Sequence, residues 1–411
     1  MIFYKKSKIV IANSIALAMS MVFTSCDDSI REEYVEDAVT NYNVDMISVA
    51  KMKAIDFISG LGVVTRGSSP EEEISSCYEW TKENLCFQLK DYSDFKNLPD
   101  TIMYVVNLKN DNGYILVPVD QRIPGILAYI EHGSLSPLDR IENDGFKLFL
   151  DGVKKLLANR FPGENNNPIP GNDTMPWAID TIYAPLLTTK WGQQYPFNVS
   201  CPTFNGNYSV AGCVAIATAQ IIAYHESPES YNNHFFNWET IKLDSVPLYS
   251  MDIGSVAQLI ADIGRIVHMN YTDTLSTANS IYVAECLDSL GYHHVGLVDY
   301  DYNTCMEEFN NSRPVYIKGR PHDRVVGHAW IIDGGIVRSV HLGMFLPGGG
   351  LGFSRTNIQR LVHCNWGMNG DKDGYFLSDV FDTEQGVDIT RSYYDTNLQI
   401  YKEVYPLNQN N

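Results

Sequence analysis

Residues 211–225 read AGCVAIATAQIIAYH. A glycine and a cysteine precede a run of small and aliphatic residues, which predicts a helix that begins at the sulfur. Val214, Ile216, Ala219, Ile221 and Ile222 leave it almost no polar face, so it should run through the middle of its domain. A free cysteine is among the most buried residue types and packs as a small hydrophobe, so Cys213 taken alone reads as core filler. Its place at a helix N-terminus points the other way, because the unpaired N–H groups and macrodipole there favour negative charge. The rest of the chain decides between them.

A cysteine nucleophile needs an imidazole base, donors for the oxyanion and a group that orients the base. Just upstream lies WGQQYPFN, residues 191–198, where a glutamine amide can donate to an oxyanion beside the Cys213 N–H. Downstream, GHAWIIDGG at 327–335 sets His328 at the start of an apolar strand, where its ring can project into a cleft. A third segment, HCNWGMNGDKDGYF at 363–376, offers Asn365, whose amide can hydrogen-bond the imidazole, and Trp366, whose ring can shield that bond. The order along the chain is Cys, His, Asn.

Working outward, the 411 residues exceed one ordinary core, and an apolar share of 45% can furnish two folded units. From Asn43, NVDMISVAKMKAIDFISGL carries Met46, Val49, Ala50, Ile55, Phe57 and Ile58 at helical spacing. TIMYVVNL and GYILVPVD flank the turn KNDNG and predict a β-hairpin, with Asn112 and Gly113 tolerant of left-handed dihedrals. GILAYIE is a further strand. In FKLFLDGVKKLLANR, Phe146, Phe149, Leu150, Val153, Leu156 and Leu157 form one helical face that would cover a sheet. The proline- and asparagine-rich stretch from Pro162 to Trp177 reads as an exposed, cleavable connection. Beyond it, PVYIKG, HAWIIDGG, RLVHCNWG and GYFLS are strands of a second unit.

At the N-terminus, Lys5, Lys6 and Lys8 precede an apolar stretch from Ile9 to Phe23, and Thr24 and Ser25 lead to Cys26. This is the pattern of a secretory signal. The stretch is interrupted by Asn13 and Ser14 and is shorter than the ~20 residues of a spanning helix. Cys26, followed by Asp27, Asp28 and Ser29, resembles the end of a bacterial lipoprotein signal, with Phe23 in place of the usual leucine. That resemblance implies a lipid on Cys26 and export to a membrane or cell surface, with release possible after processing. The formal net charge of −19, from 30 basic and 49 acidic residues, argues against a nucleic-acid partner. Seven cysteines remain beyond Cys26, an odd number that leaves at least one unpaired, and a Cys77–Cys86 bridge is compatible with their spacing. Their spacing matches no zinc pattern, and no segment marks a cofactor site.

Together the four segments resemble the streptopain family of papain-like cysteine peptidases, whose sequences pair WGQ..PYN, GCVATA.AQIM.YH, GHA..IDG and NWGWGG. The resemblance implies an α+β fold, a central helix packed on an antiparallel sheet, preceded by a small α+β inhibitory propeptide. It assigns 1–26 to the signal, 27–161 to the propeptide, 162–177 to a cleavable linker and 178–411 to the catalytic domain. It further implies that Cys213 is the nucleophile, His328 the base and Gln193, rather than Gln194, the oxyanion donor, with Asn365 and Trp366 beside the histidine. Expected partners are protein or peptide substrates and the chain's own propeptide, and the family suggests a hydrophobic side chain two residues before the cleaved bond. This sequence departs from the family at Met368, Asn369 and Ile216, where tryptophan, glycine and threonine are usual, which touches the cleft wall and core more than the nucleophile.

Two other functions share parts of the pattern: an amidase acting on cell-wall peptides, and an inactive binding homologue. Intact Cys213, His328 and Gln193 disfavour the second. His225 closes the helix about three turns from Cys213, too far to share its proton. His293 and His294 are neighbours that point to opposite sides of a strand, which does not make a metal pair. Cys364 reads as a buried strand thiol. The glycines at 348–350 have no phosphate-loop context and read as a mobile loop over the cleft.

Overall fold

Asp45 opens the first described helix by accepting the Ile47 N–H at 3.1 Å and the Ser48 hydroxyl at 2.6 Å, the work of an N-cap. That helix, α1 (Met46–Leu61), stops at Gly62, whose φ of 71° suits a residue without a Cβ. The computed structural model describes residues 45–62, 70–90, 98–120, 123–160, 176–242, 251–320, 327–345, 351–381 and 398–407. The signal segment with Cys26, the linker up to residue 175 and the glycines at 348–350 lie outside the described residues.

The N-terminal part continues with β1 (Ile74–Thr81), α2 (Lys82–Leu89), β2 (Thr101–Leu108), β3 (Tyr114–Pro118), β4 (Ala128–Ile130) and α3 (Asp144–Arg160). Strands β2 and β3 form the expected hairpin, Met103 opposite Pro118 and Asn107 opposite Tyr114. Its left-handed residues are Asn110, Asp111 and Gly113, so the turn begins earlier than Asn112. The predicted face of α3 is buried throughout.

The C-terminal part begins with β5 (Ala178–Tyr183), the short strands β6 (Thr203–Phe204) and β7 (Asn207–Tyr208), and α4 (Cys213–His225). Next come β8 (Ser230–Tyr231), β9 (His234–Phe235), α5 (Trp238–Ile241), α6 (Met251–Ile266), α7 (Val283–Ser289), β10 (Tyr292–Asp299) and α8 (Tyr302–Asn310). The remaining elements are β11 (Val315–Gly319), β12 (His328–Phe345), β13 (Leu351–Asn365), β14 (Gly374–Leu377) and β15 (Gln399–Pro406).

Both parts share one antiparallel sheet, in the order β1-β2-β3-β4-β14-β13-β12-β11-β15-β10, with β5 added to β12. The join is β4 against β14, Tyr129 opposite Tyr375. The two cores accordingly divide along the faces of this sheet. Alternation along the strands sends Val315, Ile317, Trp330, Ile332 and Ile400 into a core that also holds α1, α3 and β2–β4. Their neighbours Tyr316, Ala329, Ile331 and Tyr401 face a second core built around α4, α6 and α7. In the first core, Phe149 of α3 meets Phe376 edge-on at 4.8 Å and Phe381 at 5.9 Å.

Two polar contacts cross the same junction. Arg338 of β12 is 1% exposed; its Nε donates to Gln359 at 2.7 Å, and Nη1 faces Asp56 of α1 at 3.4 Å. Its guanidinium lies 4.9 Å from the rings of both Phe57 and Trp177. Burial pulls Arg338 down to about 10 despite Asp56, and burial raises the Asp56 carboxyl against the pull of Arg338. Further along, His363 holds Asp333 at 2.6 Å and faces Glu131, just past β4, at 3.5 Å. Burial opposes the charge on His363, but these carboxylates outweigh it and bring the imidazole up to about 10.

Cys77 and Cys86 do not form the bridge their spacing allowed, and all the described cysteines are thiols. One lies on β1 and the other on α2. Cys364 is a buried thiol of β13, as its apolar setting suggested. His293 and His294 turn to different partners, Glu403 and Asp288.

Candidate active site

Gly212 sets the start of α4 with φ 88° and ψ 136°. A Cβ there would come within 2.7 Å of the Met269 sulfur, so both backbone and space demand glycine. Every residue from Val214 to Ala223 is buried, whereas Cys213 is partly exposed to a cavity. Burial pushes its thiol up, but a hydrogen bond and the charge of His328, with the N–H groups of Ala329 and Val214, bring it below the ordinary value.

His328 is the first residue of β12, paired across the ladder with Gly319. Its Nε2 donates to the Trp366 carbonyl at 2.9 Å, which leaves Nδ1 for the sulfur. The ring stacks on Trp330, 6.1 Å between centroids and 13° between planes, and lies 6.4 Å from Trp366. Burial alone would lower the imidazole; the hydrogen bond to and charge of Cys213, then the Trp366 carbonyl, raise it above its ordinary value. Both shifts have the sign that favours a thiolate beside an imidazolium.

Asn365 does not take the place expected for it. Its Nδ2 donates to the Thr189 carbonyl at 2.8 Å, and its Oδ1 accepts the Gly367 N–H and Gln220 Nε2, both at 3.1 Å. The side chain thus ties down the turn, and the carbonyl of the next residue orients the imidazole. The Trp366 ring is fully buried, with its Nε1 donating to the Lys372 carbonyl at 2.9 Å. Its backbone N–H is held at 2.9 Å by Asp373, a carboxyl that burial pushes up to about 7. Gln193 lines the same cavity as Cys213; its Nε2 reaches the Met368 sulfur at 3.3 Å, and its carbonyl accepts the Ala211 N–H at 2.9 Å.

The cavity has a volume of about 610 Å³. Leu275, Ala278 and Tyr282 line it together with Lys318 and Arg320. Asp144, at the start of α3, also lines it. Asn143 caps that helix by accepting the Phe146 N–H at 2.9 Å and donates to the Asp371 carbonyl at 2.5 Å. A Cβ on Gly145 would lie 2.2 Å from Trp366 Cε3 and 2.9 Å from His328 Cδ2, so α3 lays bare backbone against the two rings. Among the described residues no cluster of three or more His, Cys, Asp or Glu is placed to hold a metal.

A sulfur at the head of a buried helix, an imidazole opening the facing strand and an N-terminal helix laid over them define a papain-like cysteine peptidase in proenzyme form. Over its catalytic portion the chain is similar to the C10, or streptopain, peptidases. Residues 191–376 match the Peptidase C10 family, and residues 79–156 match the Spi protease inhibitor family. It is 26% identical over 395 residues to streptopain of Streptococcus pyogenes, covering 80% of this chain and 84% of streptopain. It is 24% identical over 317 residues to the thiol protease/hemagglutinin PrtT of Porphyromonas gingivalis, covering 67% of this chain and 34% of that protein. Prointerpain A of Prevotella intermedia shares the fold, with a TM-score of 0.53 at 22% identity over 74% of this chain and 96% of that fragment.

The backbone carbonyl of Trp366, the buried Gln220 and the first turn of α3 were not singled out from sequence. Only Gln220 left a trace there, as the one long polar side chain in an otherwise apolar helix.

Proposed function

We propose that the chain is exported as a lipoprotein zymogen and becomes an endopeptidase once the segment between 162 and 177 is cut. The mature portion is then 178–411, and residues 27–161 form the inhibitory part. The secretory pattern before Cys26 supports export and a lipid on that cysteine. In the reaction, the Cys213 thiolate attacks a peptide carbonyl and forms a tetrahedral intermediate. Gln193 Nε2 and the Cys213 N–H donate to its oxyanion. The His328 imidazolium gives its proton to the departing amine as the C–N bond breaks. His328 then takes a proton from water, which hydrolyses the thioester and restores the thiolate. Trp366 keeps the imidazole oriented through its carbonyl and dry through its ring, and Asn365 holds the turn that presents both.

One observation carries this assignment: His328 contacts the Cys213 sulfur while its other nitrogen is fixed on a carbonyl 2.9 Å away. The test is a casein assay with an irreversible thiol alkylator, followed by mass spectrometry. Inhibition with Cys213 as the labelled residue, and a new N-terminus within 162–177, is the expected result. A Cys213→Ala chain should stay full length. Processed protein that cut muropeptides and left casein intact would overturn the endopeptidase reading.

A further inference from the structure

The face of α4 that begins with Cys213 continues, three and seven residues on, with Ile216 and Gln220. Ile216 lies beneath the turn after Trp366, its Cγ2 at 3.0 Å from where a Cβ on Gly367 would sit. Gln220 follows about 10 Å along the axis from Cys213. It is 0% exposed, and both ends of its amide are used. Oε1 accepts the Trp191 N–H at 3.3 Å, and Nε2 donates to Asn365 Oδ1 at 3.1 Å.

These partners belong to opposite sides of the active site. Trp191 is two residues before Gln193, the oxyanion donor, and Asn365 immediately precedes Trp366, whose carbonyl holds His328. Two further bonds close the loop: Asn365 Nδ2 to the Thr189 carbonyl at 2.8 Å, and the Asn369 N–H to the Trp191 carbonyl at 3.2 Å. All of these groups hang on the helix that carries the nucleophile. We propose that Gln220 is a positioning residue that sets the spacing between the oxyanion side and the histidine side of the site, relative to Cys213. It touches no substrate. It acts through the extended segment at 189–193 and the turn at 365–367. The proposal rests on the cysteine peptidase assignment of these side chains, and its test includes a measurement that needs no peptide hydrolysis.

Gln220→Leu keeps the volume but removes both bonds. Gln220→Glu keeps an acceptor for Trp191 and loses the donor to Asn365 until the carboxyl is protonated, which burial shifts toward neutral pH. Each full-length variant is processed by a trace of the unsubstituted enzyme and assayed for kcat and KM on a peptide substrate. In the unprocessed chain, the rate of Cys213 alkylation by iodoacetamide is followed against pH. Misplacement of this size costs kcat roughly 10- to 100-fold with KM nearly unchanged. For Gln220→Leu, the acid limb of the alkylation profile should move toward that of an ordinary thiol. For Gln220→Glu, the ratio of its kcat to that of the unsubstituted enzyme should rise as pH is lowered. Should Gln220→Leu fail to fold, the Gln220→Glu pH dependence decides alone. An unshifted alkylation profile, or a Gln220→Glu ratio flat with pH, overturns the proposal. Shifted alkylation without any peptide hydrolysis in the unsubstituted protein would count against the peptidase reading and leave the positioning role standing.

Discussion

The two faces of the catalytic sheet are closed in different ways. On one face, α4, α6 and α7 bury Tyr316, Ala329, Ile331 and Tyr401, and among the described residues the packing there is drawn from Leu187 to Val404. On the other, Trp330, Trp366, Phe376 and Phe381 share a core with α1, α3 and the N-terminal strands. The face that holds the nucleophile's helix is self-sufficient, whereas the face behind the histidine depends on a part that activation is proposed to release. Latency and stability are thus built from the same contacts. An inhibitory segment that completes a core cannot leave without exposing apolar surface, which makes its departure costly and its inhibition tight.

The largest expected effect breaks this comparison directly. Phe149→Ala in α3 should destabilise the full-length Cys213→Ala chain by about 3–5 kcal/mol, measured by denaturant unfolding. Processed enzyme made from a Phe149→Ala chain should have unchanged kcat, because the residue departs with α3. Ile260→Ala, on the self-sufficient face, should cost about 2–5 kcal/mol in full-length and processed forms alike. If both substitutions behaved the same way in the processed form, the two faces would not differ as described.

Next in size is Asp56→Ala, which leaves the Arg338 charge buried without its carboxylate. It should cost about 3 kcal/mol in the full-length chain and nothing in the processed enzyme. A smaller effect is expected from Gly145→Ala, whose methyl would press on Trp366 and His328. Overpacking of about 1–2 kcal/mol corresponds to roughly tenfold weaker inhibition by the N-terminal part, read from the lag before full activity appears.

The smallest change sharpens the site itself. The Cys213 thiol lies below its ordinary value, so the charge it gains in the fold is kept above that lowered value and lost as pH falls through it. His328 lies above its ordinary value, so its charge is present below that raised value and lost as pH rises through it. Alkylation of Cys213 should therefore remain fast on the acid side of the ordinary thiol range. His328→Ala should move that limb upward. A profile that His328→Ala leaves unchanged would mean that the sulfur is not paired with this imidazole.

Much of this was legible in sequence because it rests on side-chain pattern. The apolar run after Cys213, the stripe from Phe146 to Leu157 and the alternation in HAWIID announce their elements through periodicity. Contacts made by the backbone leave no such signature. Asn365 and Trp366 were both placed beside His328, with the amide as the visible candidate for its hydrogen bond, yet the Trp366 carbonyl takes that bond, and every residue has a carbonyl. The shared sheet was hidden for a related reason. Strand β4 has three residues, and nothing in AYI says that its outer partner is GYFL, more than 240 residues later. Strand β12 also runs on well past Gly334 and Gly335, to Phe345. Between Ile332 and Gly334 the antiparallel register slips by one residue rather than breaking.

The pairing of β4 with β14 carries a consequence for the released enzyme. Once the N-terminal strands go, Gly374 to Leu377 become a bare rim, with amide groups on one side seeking a new neighbour. Only four residues long, this rim is a poor template for aggregation. It is nonetheless a fresh recognition feature, absent from the precursor, by which a binding molecule could tell activated enzyme from latent enzyme without touching the catalytic cleft.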